Sequence, residues 1–304
     1  PRAGRTLCDA VAGARRRSGD ARRTGGRAPQ EDGGGMEVRP GYKQTEVGAI
    51  PDEWDCPRIR DAAAASPNAI VGGPFGSDLV SADYEVVGTP VIRGQNMSES
   101  LVCGEFVFVS LQKANSLTAN LARPNDLVFT QRGTLGQVSL VPHSQFDQYL
   151  ISQSQMKVSL DQSRHDPAFV RQYFASGAGQ KQILTSAIQT GVPHTNLGIL
   201  RAYQFPAPPL AEQRAIAAAL SDMDALLEGL TRRIAKKRDL KQAAVQQLLT
   251  GQTRLPGFHG EWEVRRLGEL AEMGSGGTPT TSVPAYYDGD IPWVSISDMT
   301  KGGK

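Results

Sequence analysis

Residues 205–217 read Phe-Pro-Ala-Pro-Pro-Leu-Ala-Glu-Gln-Arg-Ala-Ile-Ala, and this stretch opens the clearest local pattern in the 304-residue sequence. Pro208 and Pro209 precede a long run without proline, and Gly251 follows it, which predicts one helix over 210–250. Its apolar residues recur in steps of four and three, the spacing of a heptad seam. At 1.5 Å per residue, such a helix is roughly 60 Å long.

The seam predicts a surface that pairs with another helix, because an isolated helix cannot bury an apolar stripe by itself. The second half of the helix is rich in Lys and Arg, which suits either an acidic partner or the dipole at the helix end. The predicted pairing residues are Ile216, Leu220, Met223, Leu227, Leu230 and Ile234.

Residues 40–209 have the pattern of a mixed domain that precedes the helix. Short runs rich in Val, Phe and Leu alternate with turn residues and predict strands. The residues of 166–177 carry apolar side chains at helical spacing. The order of strands and helices is irregular, so the fold class is predicted to be α+β. The strand-like runs are Val86–Arg93, Glu105–Ser110, Leu127–Thr130, Gln137–Val141 and Gln155–Leu160.

An internal repeat follows the helix. Residues 52–63 resemble residues 260–271, with Trp54 matching Trp262, and a Gly-rich stretch follows each copy. The chain therefore has the order domain, long helix, linker over 251–261 and the opening of a second copy over 262–304. A segment of about 43 residues is too short to complete a core of that kind.

The first 35 residues differ in composition from the rest. They hold eight Arg and four acidic residues, whereas the remaining 269 hold 25 basic and 27 acidic residues. The overall charge of +2 is therefore a local property of this end. Residues 1–39 are interpreted as a disordered basic arm that contacts phosphates, or as translated sequence upstream of a start at Met36.

Cysteine usage and hydropathy exclude several classes of protein. Cys8, Cys56 and Cys103 lie far apart, without the paired spacing of a zinc site, and suit a reducing cytoplasm. No run of 18 apolar residues is present, so no membrane partner is expected.

Four stretches together resemble the specificity subunits of Type I restriction–modification systems. They are 41–54, which looks like the usual opening of these subunits, 126–138, 190–197 and the helix entry 205–217. The resemblance spans about 40–304. It implies a non-catalytic, cytoplasmic subunit in which a target recognition domain reads double-stranded DNA and a long helix spaces two half-sites.

The resemblance also implies partners. Methyltransferase subunits would use S-adenosylmethionine to methylate adenine, and a restriction ATPase–nuclease subunit would use ATP and Mg²⁺, with no cofactor in this chain. Because one half is complete and the second only begins, three readings stay open: a fragment, a truncated gene product, or a half-length subunit. A half-length subunit would form a homodimer through the helix and read a palindromic bipartite site.

Three polar loops carry the side chains that read base edges, since Arg suits guanine, whereas Asn and Gln suit adenine. Ordinary turn chemistry is the alternative explanation for the same residue types. The predicted DNA-binding residues are Arg93, Gln95, Asn96, Gln131, Arg132, Thr134, Gln189, Thr195 and Asn196.

The sequence also bears on two other classes of function, an enzyme and a module without DNA specificity. A methyltransferase or nuclease is disfavoured, because the sole Pro-Pro pair lies between Ala207 and Leu210, not before an aromatic residue, and neither a P-loop nor clustered acids are present. The second alternative is an inactive truncated remnant, or a coiled-coil interaction module without DNA specificity of its own.

Overall fold

The computed structural model describes residues 39–97, 100–189 and 191–291, together with 294 and 299. The predicted arm lies outside these residues except for Arg39, as do Thr190 and most of 292–304. The chain forms two compact units that divide after Arg238. The domain boundaries given above therefore stay a prediction.

Ten strands are present in the described residues, and each lies in the first unit. In chain order they are β1 (Tyr42–Thr45), β2 (Gly48–Pro51), β3 (Ile70–Gly72), β4 (Thr89–Ile92), β5 (Val107–Val109), β6 (Leu121–Ala122), β7 (Leu127–Thr130), β8 (Val138–Leu140), β9 (Tyr149–Ile151) and β10 (Gln155–Val158). The helices are α1 (Ile59–Ala62), α2 (Leu111–Ser116), α3 (Pro167–Ala175), α4 (Gly177–Thr185), α5 (Leu197–Ala202), α6 (Leu210–Leu249) and α7 (Leu267–Leu270).

Two four-stranded sheets follow a β1–β2 hairpin. The first has the order β3-β10-β7-β8 and is antiparallel throughout. The second has the order β5-β4-β9-β6, in which β4 and β9 are parallel. The predicted α+β class is confirmed, and all five predicted strand runs contain a strand.

Strand alternation explains where the core lies. On β7, Leu127 and Phe129 belong to the cluster that contains the α3 residues Val170 and Phe174, whereas Val128 belongs to a second cluster with residues of the other sheet. Successive side chains of a strand point to opposite faces. The first sheet therefore packs against α3 on one face and against the second sheet on the other.

The predicted long helix is present as α6, within one residue of the expected end. Its start is fastened to the domain by Gln213, which is 1% exposed. The Gln213 side chain donates to the carbonyls of Arg164 (3.1 Å) and Pro208 (2.7 Å) and accepts from the Asp166 N–H (2.9 Å). Through these hydrogen bonds, Gln213 of the Leu-Ala-Glu-Gln-Arg stretch connects the start of α6 to the domain that precedes it.

The predicted pairing stripe divides into two parts. Ile216 packs against the core of its own domain, beside buried Ala217, so it is taken out of the stripe. The other five residues lie on the helix surface with exposures between 44% and 62%. The pairing itself stays a prediction.

The second unit contains α7 and a single-turn helix, Pro284–Tyr286. No residue between 252 and 291 is buried. Arg254 lies over the Trp262 ring, with the guanidinium carbon 5.6 Å from the ring centroid. Among the described residues, no helix is both long and apolar enough to cross a membrane.

Candidate nucleic-acid interface

The turn Ser152–Ser154 is the centre of the candidate site, because it joins β9 of one sheet to β10 of the other. The strand registers bring the carboxyl ends of β3, β4 and β7 beside it: Met156 pairs with Gly72, Ile151 with Ile92 and Gln155 with Thr130. The loops that leave these strands therefore meet at one end of the two sheets. This end is called the loop edge below.

The loop after β7 is fastened directly to the turn. The N–H of Gln131 donates to the Ser154 carbonyl at 2.7 Å, and Gln131 is half-buried. Beyond it, Arg132 and Thr134 are exposed. Gly133 has φ +102°, a conformation that favours glycine and lets the chain turn between these two side chains.

The third polar loop joins the same surface. Its Thr195 N–H donates to the Gln131 carbonyl at 2.9 Å, and His194 forms bridges with Arg132 and Ile188. Gln189, on this loop, is exposed. Two of the three loops predicted from the sequence are therefore one connected surface.

Thr195 and Asn196 have structural roles within that loop. Thr195 is 2% exposed, and its hydroxyl lies 3.4 Å from the Tyr203 hydroxyl. Asn196 caps α5, where its side-chain oxygen accepts from the Ile199 N–H at 2.9 Å. The Thr195 hydroxyl is thus buried against another side chain, and the Asn196 oxygen is used by the start of α5 although Asn196 itself is exposed, so the proposed interface omits both.

The loop after β4 is held from inside by Asn96, which is 1% exposed. Its oxygen accepts from the Arg93 N–H at 3.1 Å, and its nitrogen donates to the carbonyls of Cys103 and Glu105, each at 3.0 Å. Asn96 therefore positions the loop and does not face solvent. Gln95, one residue before it, is exposed.

Arg93 lies at the root of this loop, half-buried, with its guanidinium carbon 6.0 Å from the centroid of the Tyr84 ring. Its Nε is buried and has no hydrogen-bond partner among the described residues. Tyr84 and Gln153 also lie at the loop edge, and neither is among the DNA-binding residues predicted from the sequence. The polar run Ser-Gln-Ser directly after the apolar strand β9 is the sequence feature that could have indicated Gln153.

Two ionisable side chains, Lys157 and His165, are buried within the domain. Lys157 of β10 is 3.7 Å from Asp126, and burial lowers the pKa of Lys157 while Asp126 opposes that change. His165 is 3% exposed, and its ring meets Phe205 edge to face at 5.4 Å. Burial and then Arg164 lower the pKa of His165, so its ring is neutral near pH 7.

The described residues contain no group of three or more His, Cys, Asp or Glu placed to hold a metal ion. The exposed polar side chains that the three loops contribute to the loop edge include amides, a hydroxyl and a guanidinium. These groups can donate to and accept from base edges and phosphates.

Comparison with known proteins gives a consistent result. Residues 76–237, more than half of the chain, match the family described as the Type I restriction modification DNA specificity domain. The Type I restriction enzyme MjaIX specificity subunit of Methanocaldococcus jannaschii is 19% identical over 287 residues, which cover 86% of this chain and 61% of that protein.

Two solved structures are also similar. A chain from "Structural basis underlying complex assembly and conformational transition of the type I R-M system" has a TM-score of 0.49 and 19% identity over 65% of this chain and 46% of its own length. The HsdS subunit of Thermoanaerobacter tengcongensis has a TM-score of 0.45 and 17% identity, over 68% and 47%. The chain thus spans about half to three-fifths of the length of these relatives.

Proposed function

Because the chain belongs to the family of Type I restriction–modification DNA specificity domains, we propose that the domain over 40–209 reads one part of a DNA target. In this proposal the chain performs no chemistry. It selects the sites at which partner subunits methylate or cleave DNA.

The observation that carries the proposal is the loop edge. Gln95, Arg132, Thr134 and Gln189 are exposed at one end of the two sheets, on loops that hydrogen bonds hold to the domain. Sequence reading needs such side chains held in a fixed arrangement, because each bidentate contact discriminates one base pair from the others. Arg93 and Gln131, both half-buried at the roots of their loops, complete the proposed interface.

The partners follow from the same family. We propose that α6 docks adenine methyltransferase subunits that bind S-adenosylmethionine, and that its exposed stripe pairs with a second long helix. A restriction ATPase–nuclease subunit that uses ATP and Mg²⁺ is a further proposed partner, and the cytoplasm is the proposed compartment. The similarity to the MjaIX specificity subunit supports this proposal.

The second candidate is a coiled-coil module without DNA specificity. The observation that favours it is the stripe from Leu220 to Ile234, which is exposed whether or not the loop edge binds DNA. The two candidates differ in whether the chain selects a DNA sequence, and one experiment distinguishes them.

The test is co-expression of the full chain with its cognate methyltransferase subunit, in a host without adenine methylation, followed by genome-wide mapping of methylated adenine. The proposed function requires a defined motif that changes or disappears when Arg132 and Gln189 are both replaced by Ala. Assembly with the methyltransferase but no motif would favour the coiled-coil module. A matched control is the double replacement of Arg60 and Gln145, which are exposed and lie outside the three loops and α6.

A further inference from the structure

Phe75 is the most exposed large side chain of the loop edge, at 90% exposure. It belongs to the segment 73–79, which follows β3. A single exposed apolar residue is common on protein surfaces and carries no argument by itself. What distinguishes Phe75 is that the segment is anchored on both sides of it by buried Pro74 and Leu79, so the backbone that carries the exposed ring is held in place.

The anchoring is visible on both sides of Phe75. Before it, the Gly73 N–H donates to the Gln155 carbonyl at 2.8 Å, and Gly73 packs so closely on the turn that a Cβ would lie 1.9 Å from the Ser152 carbonyl oxygen. The next residue, Pro74, is buried. Any side chain at position 73 would therefore displace the segment from the turn.

After Phe75, the side-chain nitrogen of Gln153 donates to the carbonyls of Gly76 (2.6 Å) and Leu79 (3.1 Å). Leu79 is 4% exposed and packs in the core of the second sheet. Gln153 is the residue next to Ser154, which holds the Arg132 loop. Phe75 and Arg132 are therefore fastened to the same three-residue turn.

An aromatic ring on such a support can stack on bases or enter between base pairs. Proteins that deform DNA insert Phe and other apolar side chains as wedges between base steps, while cationic groups nearby hold the phosphates. Base–aromatic stacking is tolerant of sequence, because every base presents a flat face. Arg132 and Arg93 supply guanidinium groups on the neighbouring loops of the same edge.

We propose that Phe75 is a wedge that enters the base stack of the target duplex beside the bases read by the Arg132 loop. The proposal rests on the proposed function, since it places the duplex on the loop edge. Its partner is the unstacked base step of double-stranded DNA. The wedge fixes the position of the duplex, while the polar side chains read its sequence.

The test uses the full chain in complex with its methyltransferase subunits, and duplexes that carry the mapped motif. The fluorescent base 2-aminopurine is placed in turn at each position of the half-site other than the methylated adenine, because its emission rises when it unstacks. Binding is measured over a range of salt concentrations. Four proteins are compared: the wild type, Phe75→Ala, Phe75→Leu and the control Leu111→Ala. Leu111 is 65% exposed and follows β5, whose last residue pairs with Thr89 at the start of β4, whereas the loop edge lies at the other end of β4.

We expect the wild type to raise 2-aminopurine emission at one step, and Phe75→Ala to lose this rise and to bind the motif roughly 5- to 100-fold more weakly. The slope of affinity against salt stays the same, because no charge is removed. Phe75→Leu keeps most of both signals, since an apolar wedge remains, and Leu111→Ala matches the wild type. Unchanged thermal unfolding confirms that Phe75→Ala is folded.

Two results overturn the wedge. In the first, Phe75→Ala binds the motif as the wild type does and keeps the 2-aminopurine signal. In the second, Phe75→Ala fails to assemble with the methyltransferase during gel filtration, which would make Phe75 a protein contact. If the wild type itself methylates no motif, the proposed function fails, and the wedge fails with it.

Discussion

The N–H of Thr195 donates to the carbonyl oxygen of Gln131 at 2.9 Å, and this bond joins two loops that are far apart in the sequence. The Gln131 N–H donates to the Ser154 carbonyl, so hydrogen bonds connect both loops to the turn between the two sheets. Exposed side chains on these loops therefore keep a fixed relative position, which is what recognition of a base sequence requires.

Replacing Asn96 by Ala is expected to lower the free energy of unfolding by about 1–3 kcal/mol, because the Arg93 N–H and two carbonyls lose their buried partner. Urea denaturation measures this change. The neighbouring substitution Gln95→Ala, at an exposed position, should stay within about 0.5 kcal/mol of the wild type. Equal destabilisation by the two substitutions would contradict the positioning role of Asn96.

Replacing Arg132 by Ala is expected to weaken binding to the mapped motif and to change how affinity depends on salt. If Arg132 neutralises one phosphate, the slope of log affinity against log salt falls by about 0.9. If it reads guanine, the motif itself relaxes at one position. Fluorescence anisotropy titrations at several salt concentrations, with methylation mapping, separate the two. Arg60→Ala, at an exposed position of α1, should leave both readouts as they are.

Replacing Gln213 by Ala is expected to loosen the start of α6, because three backbone groups of the domain lose their partner. The expected loss is about 1–3 kcal/mol of unfolding free energy, with faster hydrogen exchange near Asp166. The same change at Gln247, exposed near the other end of α6, is the control. A Gln213 variant as stable as the control would show that the side-chain bonds do not hold the helix.

His165 is expected to make stability fall in acid. Its pKa in the folded state lies below the unfolded value of about 6.5, because burial and Arg164 disfavour the charged ring. Below pH 6.5 the unfolded chain therefore binds a proton that the folded chain does not, and the unfolding free energy falls by up to about 1.4 kcal/mol per pH unit. Above that pH the contribution of His165 is constant.

The measurement for His165 is urea denaturation of the wild type and of His165→Phe between pH 7.5 and pH 5, on the order of half a pH unit apart, so that the window spans the unfolded pKa. Phe keeps the ring against Phe205 and removes the titration, so the two curves should diverge in slope below pH 6.5. His143→Gln, at an exposed position, is the matched control. Parallel curves for His165→Phe and the wild type would rule out the proposed linkage.

Replacing Leu227 by Glu is expected to weaken the association of α6 with another helix by at least tenfold, since a carboxylate would enter an apolar seam. Leu227 is 62% exposed, so the folded chain itself should lose little stability. Sedimentation of the chain alone and with the methyltransferase reports the association. Ala215→Glu, exposed and about 120° away around the helix, is the control. Identical sedimentation of both variants and the wild type would mean that this stripe pairs with nothing.

The sequence pattern located three polar loops but did not identify which of their residues face outward. Arg132, Thr134 and Gln189 are exposed, whereas Asn96 and Thr195 are buried, and Asn196 is exposed but caps a helix with its side-chain oxygen. Asn, Gln and Thr bind backbone groups in turns with the same donors and acceptors that bind bases. Only their distant neighbours, such as Cys103 for Asn96 and Tyr203 for Thr195, decide which use applies.

The sequence by itself determined the local features of this protein: the long helix from its prolines, glycine and heptad spacing, several strands from their alternation, and the family from four short motifs. These depend on propensities and periodicities that act within a few turns or strand pairs of the chain. The tertiary structure alone decided that Ile216 belongs to the core of the domain while Leu220 does not, and that Phe75, Arg132 and Gln189 share one edge. The physical reason is that burial and convergence depend on contacts between segments far apart in the sequence, which no local pattern contains.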